Sequence, residues 1–207
     1  MILAGDVRVG GVIARDPNAG VVPEAIEIAI AGVERSRAPR VVVLLYKPRG
    51  VVTTRSDPEG RRTVYDCLAG LEEHVIPVGR LDAATSGLLV LTNDTRLADE
   101  LTDPANAVAR TYLVTVRGRV GEEIAAAALR GVDDGGESLA ASSVTVRKAS
   151  GRESHLVVEL RQGKNREIRR LFAALGHEVT ALKRVAFGDY VLGDLAVGEW
   201  RRVVPAP

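Results

Sequence analysis

Aromatic side chains are scarce in this chain: one Trp, two Phe and four Tyr make up 3% of its 207 residues. So few rings exclude a broad platform on which many bases could stack. The lone cysteine, Cys67, excludes an internal disulfide and suits a reducing, cytoplasmic setting. Together with three scattered histidines (His74, His155, His177) it offers no zinc-ligand spacing, so no metal is expected. There is no apolar run of about 18 residues and no basic-then-apolar leader, which argues against a membrane span or signal peptide. Gly163-Lys164 lacks the upstream glycine and the following Ser or Thr of a phosphate-binding loop. A net charge of +1 selects no partner by itself, and 46% hydrophobic residues exclude a disordered chain. The length fits one medium domain, or one domain with a small appendage.

What is present is organised around Gly79-Arg80-Leu81-Asp82-Ala83-Ala84-Thr85-Ser86-Gly87, which runs into Leu88-Leu89-Val90-Leu91 and then Asn93-Asp94. Four apolar residues between Gly87 and Asn93 read as a strand buried on both faces. The small and polar residues before it form an ordered loop that carries one carboxylate, Asp82. Two readings stand side by side. Asp82 caps the turn through the N–H groups near Thr85 and Ser86, or it is a reactive group presented by a rigid strand.

Upstream, residues 1–38 read as a separate small unit. Val7–Val9 and Val12–Ala14 flank Gly10-Gly11, a hairpin signal, and Ile26, Ile28 and Ile30 alternate as in a strand. The unit holds four basic residues (Arg8, Arg15, Arg35, Arg37) and five acidic ones, so its charge does not favour RNA. A polar linker, Gly32 to Arg40, leads to Val41–Leu45, a central strand by composition. Asp94 to Leu101 predicts a helix capped by Asp94, and Arg110–Val116 alternates as a strand. Glu122–Leu129 predicts an Ala-rich helix ended by Gly131, with a turn at 133–136 and strands near 144–146 and 156–160.

In the stretch 161–177, Ile168, Leu171, Phe172 and Leu175 fall on one helical face. Asn165 is the expected N-cap and Gly176 the stop. Arg166 and Arg170 lie on the opposite, solvent face, with Arg169 at the border. Residues 161–184 carry seven basic side chains against two acidic, and residues 47–62 carry five against two. Such segregation on a nearly neutral chain is the footprint expected for a phosphate backbone.

The run GRLDAATSGLLVLTND resembles the signature of the ribosomal RNA pseudouridine synthases, in the branch that modifies small- and large-subunit rRNA (RsuA/RluB type). Lys47-Pro48-Arg49-Gly50 resembles that family's K-P-x-G element. Gly163–Arg170 resembles its G-R-N-R-Q-V-R-R motif, with Glu167 where glutamine is usual. Arg110 stands where relatives have lysine, two residues before a tyrosine. The resemblance covers about residues 41–204, in the family's order. It implies an α+β pseudouridine synthase fold over residues 39–207, with mixed, largely antiparallel sheets, flanking helices and a central cleft. Residues 1–38 resemble a truncated αL-type RNA-binding module whose leading helices have no counterpart.

The resemblance makes Asp82 the catalytic carboxylate, Arg169 its partner and Tyr112 the ring against the target base. Ile168 lines the pocket, and Arg80, Lys47, Lys164, Asn165, Arg166 and Arg170 bind substrate. It implies uridine isomerisation without cofactor in ribosomal RNA, free or in assembly intermediates, by a monomer. Asp57-Pro58-Glu59-Gly60-Arg61 leans toward the large subunit. Three other readings stand beside this one: a small-subunit rRNA enzyme, a non-catalytic rRNA- or ribosome-binding protein, and a glycosidase. The last lacks a second carboxylate to pair with Asp82.

Overall fold

The structure is a computed structural model that describes residues 1–21, 27–35 and 39–204. Two compact units make up the chain, Met1–Pro39 and Arg40–Pro207. In the first, β1 (Val7–Val9) and β2 (Val12–Ile13) form the hairpin expected around Gly10-Gly11. Next come β3 (Ile28–Ile30) and β4 (Val33–Arg35), in a sheet ordered β2-β1-β3-β4. The start of the expected linker is therefore a strand, because Ala31 and Gly32 take positive φ and turn the chain back. Ile26 and Arg37 lie outside the described residues.

The larger unit is built on one sheet. Its elements, in chain order, are β5 (Val42–Lys47), β6 (Ile76–Pro77), β7 (Ser86–Thr92), α1 (Thr95–Thr102), β8 (Arg110–Arg117) and α2 (Glu122–Arg130). The hairpin β9 (Val132–Asp134) and β10 (Glu137–Leu139) precedes β11 (Ser143–Ala149), β12 (Glu153–Leu160) and α3 (Glu167–Ala174). The chain ends with β13 (Val179–Phe187), β14 (Tyr190–Val191) and β15 (Trp200–Val203). The main sheet runs β11-β12-β8-β13-β7-β5-β15, with β14 on β13 and β6 on β7. Its pairings are antiparallel except β13 with β7. The architecture is α+β with a mixed, mainly antiparallel sheet.

Both faces of the sheet centre are covered, which is why β5 and β7 read as unbroken apolar runs. Val43, Leu45, Leu89 and Leu91 face one core, which contains Ile168, Leu171 and Phe172 of α3. Val42, Leu44, Leu88 and Val90 face the other, against Leu97 and Leu101 of α1. Asp94 caps α1 as its sequence requires, accepting the Arg96 N–H at 3.0 Å. Among the described residues no helix is long and apolar enough to cross a membrane.

One close approach sets the middle of the sheet. Where β7 runs parallel to β13, Gly87 at φ 106° lies opposite Arg184, and a Cβ there would come within 2.1 Å of the Arg184 carbonyl oxygen. Only glycine lets the strand after the Asp82 loop pair this tightly.

Candidate active site

The loop before β7 is fixed along its length by backbone bonds. Val78 N–H bonds to Val90 O at 2.8 Å, and Gly50 N–H reaches Ala83 O at 2.7 Å. Thr53 clamps Leu81 twice, donating from Oγ1 to its carbonyl at 2.9 Å and accepting its N–H at 3.3 Å. The turn itself closes through the Asp82 main-chain carbonyl, which accepts the Thr85 N–H at 3.0 Å. The capping reading therefore applies to the backbone of Asp82. Its side chain is left about one-third exposed, with its Oδ2 3.3 Å from Nη1 of Arg166.

That carboxylate opens on a cavity of about 190 Å³. Tyr112, on β8, and Ile168, on α3, are nearly buried and form part of its wall. Arg80, Lys164 and, from β13, Leu182 and Arg184 also line it, so the Asp82 loop, β8, the start of α3 and β13 converge there. Arg80 is exposed and makes no hydrogen bond or ion pair among the described residues.

Arg169 does not reach Asp82. Its Nη1 donates to Val179 O at 2.9 Å and its Nη2 to Ala84 O at 3.3 Å, tying α3 to β13 and to the Asp82 loop. Burial lowers its pKa, with Arg166 adding to that effect and Asp82 opposing it. The guanidinium beside the carboxylate belongs to Arg166, and α3 begins one residue later than Asn165 suggests. Arg166 is the N-cap, at a left-handed φ of 49°. Asn165 is exposed and contributes its carbonyl, which accepts from Arg170 at 3.4 Å. The other end of α3 is as expected: Gly176 is left-handed, and the N–H groups of Gly176 and His177 return to Ala173 O and Phe172 O.

Three further expectations change. Arg170 is not on a free solvent face, because the β9–β10 hairpin folds over it. Its Nε meets Asp134 and its Nη1 meets Glu137, each at 2.6 Å. Lys164 is half taken by the same hairpin, its Nζ donating to Ser138 O. Lys47 is fully buried, donating to Pro48 O at 2.9 Å and Val51 O at 2.7 Å, so it cannot touch a phosphate at the surface. Burial lowers its pKa to about 8, opposed in part by the negative charge of Asp82. It holds the end of β5 in place beneath the site.

Sequence reasoning assigned no role to several cavity residues. Arg184 is buried, donates from Nε to Leu88 O at 2.8 Å, lies 4.8 Å from the Phe187 ring centroid, and leaves Nη2 without a partner. Arg110 flanks the same ring, 4.7 Å from its centroid. The available signal was phase, because Arg184 falls in step with the buried Leu182 on a strand otherwise read as basic surface. Glu167 is buried in the cavity wall. Its Oε2 accepts the Lys164 N–H at 3.0 Å, its Oε1 has no partner, and burial raises its pKa. Among the described residues no cluster of three or more His, Cys, Asp or Glu is arranged to hold a metal.

Comparison with known proteins places these features in context. Residues 41–174 match the profile of the family described as RNA pseudouridylate synthase. The chain is 33% identical to ribosomal large subunit pseudouridine synthase B of Bacillus subtilis, over 99% of this chain and 84% of that protein. It is 39% identical to the protein of the same name from Vibrio cholerae, over 97% of this chain and 64% of that one. A crystal structure titled as a pseudouridylate synthase superposes with a TM-score of 0.69 at 29% identity, covering 98% of this chain and 87% of the other. An H/ACA ribonucleoprotein bound to a substrate RNA containing 2′-deoxyuridine shares the fold, with a TM-score of 0.55 at 20% identity over 73% of this chain and 48% of that one.

Proposed function

The chain belongs to the RNA pseudouridylate synthase family, and on that premise we propose that it converts uridine to pseudouridine in large-subunit ribosomal RNA, with Asp82 as the catalytic group. The observation that carries this reading is the Asp82 carboxylate at the mouth of a cavity walled by Tyr112 and Ile168. A space of about 190 Å³ suits one unstacked pyrimidine and excludes a duplex. The target must therefore be flipped out of its helix, which costs roughly a few kcal/mol.

The reaction breaks the N1–C1′ bond, turns the uracil and joins C5 to C1′; a proton leaves C5 and N1 takes one up. It is an isomerisation, so no electrons are exchanged overall. An ionised carboxylate serves it by attacking C1′, or by removing a ribose proton on the way to a glycal. Tyr112 packs against the base, Ile168 keeps its wall apolar, and Arg166 and Arg80 meet the phosphates. Arg169 positions the Asp82 loop rather than pairing with the carboxylate. The large-subunit assignment follows the names of the relatives, and the N-terminal unit is a remnant of an αL-type module. The enzyme acts as a monomer on naked rRNA or on assembly intermediates.

The test is nucleoside analysis of large- and small-subunit rRNA transcripts after incubation with the purified protein and with Asp82→Asn. Pseudouridine in the large-subunit transcript with the wild type alone is the expected result. Product only in the small-subunit transcript would move the assignment, and no product in either would overturn it.

A further inference from the structure

A second cavity, of about 550 Å³, lies on the other side of Asp82. Arg80, Leu81, Asp82 and Arg166 line both cavities, so the Asp82–Arg166 pair is part of the partition between them. The outer wall of the second is the segment after β5, through Thr53, Thr54, Ser56, Pro58 and Arg61. That wall is held in place. Val52 bridges Thr63, Thr53 clamps Leu81, and the Asp57 carboxylate accepts from the side chain of Arg61 with both oxygens and from the Arg61 backbone N–H.

Three guanidinium groups, three hydroxyls and the Asp57 and Asp82 carboxylates, each facing an arginine, surround this space, and Val52, Pro58 and Leu81 give it an apolar part. Such a lining takes a ribonucleotide: phosphate against the cations, base against the apolar wall, and polar base edges to the hydroxyls. Ser56 is exposed and has no hydrogen bond of its own side chain among the described residues, so its Oγ is free for a ligand. A nucleotide in the second cavity and a uridine in the first would be joined through the phosphate beside Arg80. We propose that the second cavity seats the base of a nucleotide next to the target uridine, and so helps to choose which uridine is converted. This rests on the proposed rRNA substrate.

The test uses the full chain and a large-subunit rRNA fragment containing the converted uridine. Abasic residues replace the 5′ or the 3′ neighbour, and Ser56→Phe fills the cavity from its outer wall. A well-seated base contributes roughly 1–3 kcal/mol, or about fivefold in affinity at the low end and tenfold at about 1.4 kcal/mol. The expected result is a rise of about tenfold in KM for one abasic substrate, with kcat within about twofold. Ser56→Phe should raise KM on intact RNA to a similar extent and be indifferent to that abasic change. Thermal melting of Ser56→Phe confirms that it is folded.

The proposal is overturned if neither abasic substrate changes KM, or if the abasic and Ser56→Phe effects multiply. It is also overturned if Ser56→Phe raises KM while the wild type ignores both abasic changes, since the cavity then holds backbone alone. Should the wild type convert no uridine in any rRNA, the proposed function fails instead, which is a different result from conversion indifferent to neighbours.

Discussion

Asp82 and Arg166, 84 residues apart in sequence, face each other at 3.3 Å across the partition between two cavities. Arg166 gets there by adopting a left-handed backbone at the start of α3, a conformation that disfavours a side-chain-bearing residue. With the Asp82 side chain one-third exposed and that of Arg166 about half exposed, the pair contributes only roughly 0–1 kcal/mol to stability. Under the proposed function, an incoming phosphate exchanges for a contact this weak and frees the carboxylate.

Asp82→Asn should lower the isomerisation rate by at least about a thousandfold, because it removes the reactive charge and almost no volume. RNA affinity should change by less than about threefold, since only one exposed ion pair is lost. Nucleoside analysis and filter binding measure the two effects. A variant with near wild-type turnover would remove Asp82 from the chemistry.

Gly87→Ala should destabilise the protein by about 3 kcal/mol or more, because the new methyl meets the backbone of Arg184 and φ is 106°. Gly60→Ala is the control. It also sits at positive φ, 69°, but a Cβ there meets nothing within 4 Å. Thermal melting of the two should differ clearly, and equal losses would mean that backbone strain, not the β7–β13 contact, sets the effect.

The parts of the fold that could be read in advance are those dictated by short-range rules. β5 and β7 announced themselves through apolar runs, α1 through Asp94, and the end of α3 through Gly176. The site loop was visible as an ordered segment with one carboxylate. What could not be read was long-range. Arg166 and Arg169 lie three residues apart at the start of the same helix, and which of them meets Asp82 depends on how α3 is set against the Asp82 loop and β13, which no local pattern reveals. Arg170 looked solvent-facing by helical phase, because nothing local shows that Asp134 and Glu137 close over it. Lys47 and Arg184 were counted among the basic surface residues, although both are buried, Lys47 donating to carbonyls of the turn after β5 and Arg184 to Leu88 O of β7.

Glu167→Gln should stabilise the folded protein increasingly as pH rises. The buried carboxyl has its pKa raised from 4.5 in the folded state. The unfolded chain therefore ionises first, and wild-type stability falls as pH climbs from about 4.5 to the raised value. Gln keeps an oxygen for the Lys164 N–H and carries no charge, so its variant escapes that loss. The melting-temperature difference between Gln and Glu forms should grow across this window and then level off. A difference that is flat with pH would mean that Glu167 is not held against its ionised form.

RNA binding should weaken with salt, but less steeply than the basic count suggests. Lys47 is buried, Arg170 is held by two carboxylates, and Arg161 pairs with Glu159. With Arg55 lying against Tyr65 and His74, the exposed arginines of residues 47–62, the Asp82 loop and the start of α3 without such ion pairs, and so left for RNA, are Arg49, Arg62, Arg80 and Arg166. Arg166 counts because its link to Asp82 is weak. If these four meet single-stranded phosphates, the log–log slope should be about −2.8, from about −0.7 per phosphate. Arg166→Ala should then reduce its magnitude by about 0.7 and raise Kd for every RNA alike. Arg170→Ala should leave the slope unchanged and lower the melting temperature, because it releases the β9–β10 hairpin from α3. If the two variants alter the slope equally, the hairpin does not withhold Arg170 from RNA, and α3 is a plain basic surface after all.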